Sequence, residues 1–300
     1  MKAIENVKTI AVIGAGAMGR QIAMNTAIRG LSSGYRVLLC DSFPQALDSA
    51  RAWGEEYLEG RVKKGRLSEE EAAQVRESFT VTSDVDAAAA GADLIIEAII
   101  EKLDVKRDLF SRISRITDPE TVLATNSSNI GSSRLADVTA HPERLLNIHY
   151  FNPALVMELV EIVRGPHTGE EAVALAKAFA RNTGKIPIVL QKEIPGFVVN
   201  RINAAVAREA LSLLEKGVAT VEDIDLAAEK GLNYPMGPFR LMDLTGIDVN
   251  YYVRCDRYAE SHDEYDAPSP LVIEKFRKGE FGRKTGKGWY EYPKSPKSPV

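Results

Sequence analysis

Three hundred residues at 32.9 kDa, 45% hydrophobic and 27% charged, describe an ordinary soluble globular chain, long enough for one large or two modest cores, and two domains are expected. A net charge of -4 offers no general attraction to nucleic acid. Two cysteines, Cys40 and Cys255, without CxxC spacing, and four histidines without an HExxH pair argue against a disulfide framework and a metal centre. The start, MKAIENVKTIAVIG, lacks the apolar core of a secretory signal, and no stretch has the roughly 20 apolar residues of a membrane span. A cytoplasmic protein with no membrane or nucleic-acid partner is therefore expected.

Thr9–Ile13 (TIAVI) is a β-branched run bounded by glycine, the pattern of a buried parallel strand. GAGAMG follows at once, and residues 18–29 have helical period. Arg36–Cys40 (RVLLC) reads as a second buried strand, closed by Asp41. A long charged helix over residues 44–64 is followed by one beginning at Ser68, whose SEEE start is a capping-box pattern. Further strands are expected at Phe79–Thr82, residues 94–98, Val122–Thr125, Leu145–Tyr150, residues 157–163 and Ile186–Leu190, with an alanine-rich helix at Glu170–Asn182. Strands alternating with helices imply an α/β, Rossmann-type doubly wound parallel sheet. After QKEIPGF (residues 191–197) the pattern turns helical, over 196–216, 220–230 and 238–278. The boundary is placed near Lys192, giving a dinucleotide-binding domain at 1–191 and a smaller all-α domain at 192–300. The tail KSPKSPV is low-complexity and expected to fray.

Gly14, Gly16 and Gly19, with Ala17 and Met18 between them, form GxGxxG directly after a strand and at the opening of a helix. In that context the glycines allow a tight turn and let backbone approach a pyrophosphate at a helix N-terminus. Asp41 can accept hydrogen bonds from an adenine-ribose diol, and no Arg or Lys follows through Pro44, which favours NAD over NADP. The connection from Gly14 to Asp41 is longer than usual because of LSSG at 31–34, an insertion expected to extend away from the ligand. EAIIEKLDVK (97–106) starts where a strand ends, the rim where such sheets take ligands, so Glu101 and Lys106 either serve a cofactor or begin a solvated helix. TNSSN (125–129) closes another strand, where hydroxyls either cap a helix or contact substrate. In NIHYFNPALVMELVE (147–161), His149 and Glu161 are polar groups in an apolar run. They are a satisfied core histidine beside a solvated acid, or a base with its orienting carboxylate.

TNSS, HYFNPALVMELVE, PGFVVNR (195–201), NYPMGPF (233–239) and GRKTGKGWYEY (282–292) occur in the order and spacing of the L-3-hydroxyacyl-CoA dehydrogenase family, and the chain resembles its short 3-hydroxybutyryl-CoA type along nearly its whole length. The resemblance implies NAD-dependent, reversible oxidation of a short (S)-3-hydroxyacyl-CoA. It makes His149 the base, Glu161 its orienter, Ser128 a hydrogen-bond partner of the reacting oxygen and Asn200 a positioning amide. It brings Glu101 and Lys106 to the cofactor and leaves Asn152 to hold the HYFNP turn. Arg61, Lys63, Lys64 and Arg66 lie where the family contacts coenzyme A phosphates, although such a run can also be a solvated face. Two departures stand out: Ser127 replaces the usual threonine, and Glu158 reverses a usual lysine charge. GRKTGKG lacks the spacing of a phosphate loop and is expected to be a structured C-terminal turn. The helical domain, with apolar segments at 204–214 and 236–244, resembles the family's dimerisation module, so a homodimer is expected. Competing readings keep the scaffold but take a hydroxy sugar acid such as L-gulonate, or bind NADH without turnover as a related lens crystallin does.

Overall fold

The computed structural model describes residues 1–293; the low-complexity tail, residues 294–300, lies outside the described residues. The chain divides into a unit comprising Met1–Phe197 and a second that begins at Val198.

In the first unit the apolar runs form the strands β1 (Thr9–Ile13), β2 (Arg36–Cys40), β3 (Phe79–Thr82), β4 (Leu94–Glu97), β5 (Val122–Thr125), β6 (Leu145–Tyr150), β7 (Leu159–Val163) and β8 (Ile186–Leu190). They make one sheet in the order β3-β2-β1-β4-β5-β6-β7-β8. The helices are α1 (Ala17–Arg29), α2 (Pro44–Lys63), α3 (Glu69–Ser78), α4 (Val85–Ala90), α5 (Leu103–Ile116), α6 (Ser133–Ala136) and α7 (Glu170–Asn182). Both sheet faces are covered at the centre, so β1 is apolar on both sides: Ile10 and Val12 enter one core, Ala11 and Ile13 the other. The capping box forms as the sequence implies, Glu71 N donating to Ser68 Oγ at 3.0 Å and Ser68 N to Glu71 Oε2 at 2.8 Å.

The parallel expectation fails at one ladder. β6 and β7 are antiparallel, whereas β7 and β8 are parallel to each other. The reason is length: only residues 151–158 join β6 to β7, too few for the crossover that a parallel neighbour requires. The chain order reverses on either side of β1, between β2 and β4, which is the switch point where open sheets take ligands at strand C-termini. Register aligns those ends, with Ile13 opposite Cys40 and Glu97, Glu97 opposite Thr125, and Thr125 opposite Asn147.

The second unit consists of α8 (Val199–Glu215), α9 (Val221–Gly231), α10 (Pro238–Thr245), α11 (Ile247–Ser261) and α12 (Pro270–Arg277) around a core of Leu211, Phe239, Met242, Ile247 and Val272. Two buried carboxylates tie it together. Asp225 accepts from Phe239 N at 2.8 Å, Arg240 N at 3.0 Å and Tyr290 Oη at 2.9 Å. Asp243 accepts from Trp289 N, Tyr290 N and Tyr292 Oη, each at 2.9 Å. The GRKTGKG segment is the turn that these bonds hold, bridged between Gly282 and Lys287. Among the described residues no helix is long and apolar enough to cross a membrane, and no three His, Cys, Asp or Glu side chains are grouped to hold a metal.

Candidate active site

The turn between β1 and α1 is built from contacts that only glycine permits. Gly14 has φ +110°, and a Cβ there would lie 2.5 Å from the Ala98 carbonyl oxygen; one on Gly19 would lie 1.7 Å from the Gly14 oxygen. Gly16 differs, because its missing Cβ faces open space. The N-cap of α1 is Gly16, and the helical ladder starts at Arg20 N to Gly16 O, so the N–H groups of Ala17, Met18 and Gly19 have no intrahelical acceptor. A cavity of about 730 Å³ opens at this end, lined by Gly14, Gly16, Asp41, Phe43, Ile99 and Lys102 among others. Asp41 Oδ2 accepts from Ala15 N at 2.7 Å and Oδ1 from Phe43 N at 3.0 Å, which locks the carboxylate at the cavity rim. A glycine cradle, open helix N–H groups and a fixed acid fit a dinucleotide with an unphosphorylated ribose. The 31–34 insertion does not displace Asp41: Leu31–Ser33 curl into one 3-10 turn ended by Gly34 at φ +66°.

Beyond β4 and β5 a polar network supports the loop carrying Ser128. Lys106, 1% exposed, lies 2.6 Å from Glu97 and 3.4 Å from Glu101. The fully buried Glu97 also accepts from Thr125 Oγ1 at 2.6 Å and Ile99 N at 2.7 Å. Glu101 takes a short hydrogen bond from Ser127 Oγ, so the hydroxyl at 127 ties the loop to α5's approach. Lys106 thus enters the site through the two glutamates, and Glu101 carries the exposed end of the chain of contacts. Asn147 folds the same loop, accepting from Ser132 N at 2.8 Å and donating to the Ile130 oxygen at 3.0 Å. Glu193 accepts from Ser132 Oγ at 2.6 Å and Ser133 N at 3.0 Å.

The antiparallel ladder puts His149 directly opposite Glu161. His149 Nδ1 is 2.8 Å from Glu161 Oε2, and Nε2 is 3.0 Å from Ser128 Oγ. An ionised carboxylate only accepts, which makes Nδ1 the protonated nitrogen and leaves Nε2 as the lone-pair acceptor for the serine hydroxyl. His149 is 4% exposed and Glu161 fully buried, and the rings of Phe151 and Phe197 meet the imidazole edge-on at 4.7 and 5.4 Å. An imidazole held this way presents the Nε2 lone pair to the serine hydroxyl.

Asn200 occupies the first turn of α8 in the second unit. Asn152 lies in the β6–β7 connection. Alongside α2 runs a groove of about 810 Å³ lined by Gln21, Trp53, Tyr57, Arg61, Lys64 and Leu155 among others. Lys63, the last residue of α2, is exposed and lines neither this groove nor the dinucleotide cavity. Glu97, Asn147, Phe151 and Phe197 are site residues that the sequence reading passed over. A buried acid and amide inside apolar strands, as in LIIEA and LLNIHY, are the signal that could have found the first two.

A model of the 3-hydroxyacyl-CoA dehydrogenase NAD-binding domain matches residues 9–194, and one of the family's C-terminal domain matches residues 196–292. The 3-hydroxyadipyl-CoA dehydrogenase of Escherichia coli is 39% identical over 96% of this chain, which spans 59% of that protein's length. The 3-hydroxybutyryl-CoA dehydrogenase of Mycobacterium tuberculosis is 34% identical over 95% of this chain and 99% of its own. The crystal structure of (S)-3-hydroxybutyryl-CoA dehydrogenase from Ralstonia eutropha superposes with a TM-score of 0.89 at 35% identity, covering 96% of this chain and all of that one.

Proposed function

Because the chain belongs to the 3-hydroxyacyl-CoA dehydrogenase family, whose N-terminal domain binds NAD, we propose that it interconverts short (S)-3-hydroxyacyl-CoA and 3-oxoacyl-CoA esters, such as 3-hydroxybutyryl-CoA and acetoacetyl-CoA, with His149 as general base. The observation that carries this reading is the Ser128–His149–Glu161 line at 3.0 and 2.8 Å. Gly14, Gly16 and Gly19 would hold NAD, which when bound would supply the acceptor for the hydride of substrate C3. His149 Nε2 takes the 3-hydroxyl proton, and Glu161 stabilises the resulting imidazolium through Nδ1–H. That partnership offsets the desolvation of a fully buried carboxylate. Ser128 Oγ, beside Nε2, donates to the reacting oxygen, and Asn200 supplies a positioning amide. Glu101, backed by Lys106, borders the cofactor. Arg61 and Lys64, in the groove along α2, attract coenzyme A phosphates, and the protein works as a homodimer.

The test is NADH oxidation with acetoacetyl-CoA, run beside NADPH and free acetoacetate. Rapid, NADH-specific turnover that needs the CoA moiety is expected; equal rates with free acetoacetate, or none with the CoA ester, would remove the acyl-CoA reading.

A further inference from the structure

The last stretch of the first unit, residues 191–197, bears on both members of the Ser128–His149 pair. Phe197 meets the imidazole edge-on at 5.4 Å. Earlier in the same stretch Glu193 grips the far end of the loop that carries Ser128, its Oε1 accepting from Ser132 Oγ at 2.6 Å and from Ser133 N at 3.0 Å. Ser132 is the N-cap of α6, yet its hydroxyl makes no cap bond to the helix and goes to this carboxylate instead. The approach is close, for a Cβ on Gly131 would lie 2.9 Å from the Glu193 carboxyl carbon and from Oε2. No cation pairs with this acid among the described residues, so its charge is directed at the two neutral donors. Hydrogen bonds to an ionised acceptor are shorter and stronger than neutral ones. Nearer Ser128 the loop is stitched to β6. Asn147 donates to the Ser127 oxygen at 3.3 Å and the Ile130 oxygen at 3.0 Å, and accepts from Ser132 N at 2.8 Å. Asn147 and His149 stand two apart on one strand and so project from the same face of the sheet. The loop is therefore tied at Asn147 to the strand that carries His149, and at Glu193 to the stretch that packs Phe197 against it.

Resting on the proton-transfer reading above, we propose that Glu193 is a positioning residue: by holding Ser132 and Ser133 it fixes the loop so that Ser128 Oγ stays within hydrogen-bond reach of His149 Nε2. Serine has a single side-chain torsion with which to follow a loop that moves, so a shift of the backbone passes almost whole to Oγ. The Oγ–Nε2 separation of 3.0 Å leaves little room for that before the bond is lost. A misplacement of about 1 Å in an oriented proton-transfer site can cost on the order of 10²-fold in rate.

The experiment places Glu193→Ala, Glu193→Gln and Ser132→Ala beside the wild type, each also in a Ser128→Ala background. Two quantities are read: turnover of acetoacetyl-CoA with NADH, and the nitrogen-15 shift of His149 Nε2 in ligand-free protein carrying labelled histidine. Glu193→Ala is expected to lower kcat by about 10- to 100-fold at an unchanged KM for NADH, and Ser132→Ala to lower it less. Glu193→Gln, which keeps an oxygen for both donors, should recover most of the loss. In the Ser128→Ala background the further loss from Glu193→Ala should shrink below about 2-fold, because residues that act through one another do not add. Without any substrate, Glu193→Ala should move the Nε2 shift toward its value in Ser128→Ala. A full Glu193→Ala effect in the Ser128→Ala background, or an Nε2 shift that Glu193→Ala leaves at the wild-type value, overturns the proposal and leaves the dehydrogenase reading standing. Absence of turnover in the wild type sinks that reading instead, and the Nε2 shift then decides the positioning role by itself.

Discussion

At the scale of single residues the proposed proton transfer turns on the tautomer of His149. Glu161→Gln leaves volume and shape nearly unchanged but offers an amide donor to Nδ1, which would draw the proton to Nε2 and disable the proposed base. Turnover is expected to fall on the order of 10²- to 10⁴-fold in both Glu161→Gln and His149→Ala, with circular dichroism unchanged; full activity in either variant refutes the proton-transfer role. A second side chain makes the opposite use of burial. Cys40 is fully buried, and burial, followed by the nearby charges of Asp41 and Asp84, pushes its thiol up to about 12. It is held as the neutral thiol at pH 8, whereas Cys255 is partly exposed. Titration with a disulfide reagent should therefore count one reactive thiol in the folded protein and two after unfolding, and two fast thiols under native conditions would contradict this packing.

At the scale of elements, Asp93 fastens the start of β4 to that of β1, accepting from Lys8 N at 2.7 Å, Thr9 N at 2.8 Å and Lys2 Nζ at 2.6 Å. Burial alone would raise its pKa, but the bond from Lys2 and those from the two amides outweigh it and hold the carboxyl below its ordinary 3.8. A depressed native value means stability that is present above the unfolded pKa and lost as pH falls through the native one. The drop in urea midpoint between pH 6 and pH 3 should be smaller in Asp93→Asn than in the wild type, and an identical drop would show that the clasp contributes nothing. In the second unit a Cβ on Gly288 would lie 2.0 Å from Asp243 Oδ1. Gly288→Ala must displace the carboxylate from Trp289 N and Tyr290 N, so denaturant unfolding should show about 1–3 kcal/mol lost. The extents of β3, β5, β6 and β8 were legible from β-branched runs and their glycine or polar stops. The direction of β7 was not, because an apolar run looks alike either way and only the length of its connection fixes it. The same limit applies at the site: His149 and Glu161 stood out as polar residues in an apolar run, but their direct pairing is a fact of register. For Lys106 the residues left cofactor service and a solvated helix start both open, because sequence shows a charge and not the two glutamates that enclose it.

At the scale of the whole molecule, the proposed homodimer is argued from the second unit. Ile202, Leu226 and Leu232 are 59, 52 and 65% exposed there, apolar surface that a partner copy would cover. Light scattering at micromolar concentration should return about twice the 32.9 kDa chain mass, and a monomer would contradict the assembly. The reversal between β6 and β7 has its own effect on how such a protein can change. Because His149 and Glu161 face each other across a ladder, their pairing is set by the two strands, and of the connecting residues 151–158 the Phe151 ring lies edge-on to the imidazole. They contribute Pro153, Leu155 and Val156 to the groove along α2, and Lys185 Nζ grips them by the carbonyls of Ala154 and Met157 at 2.5 and 2.8 Å. Beyond Phe151 the segment is therefore an exchangeable cassette: its length and side chains can drift and reshape the groove, provided the lysine keeps its two carbonyls, while the His149–Glu161 pairing stays under the control of the sheet.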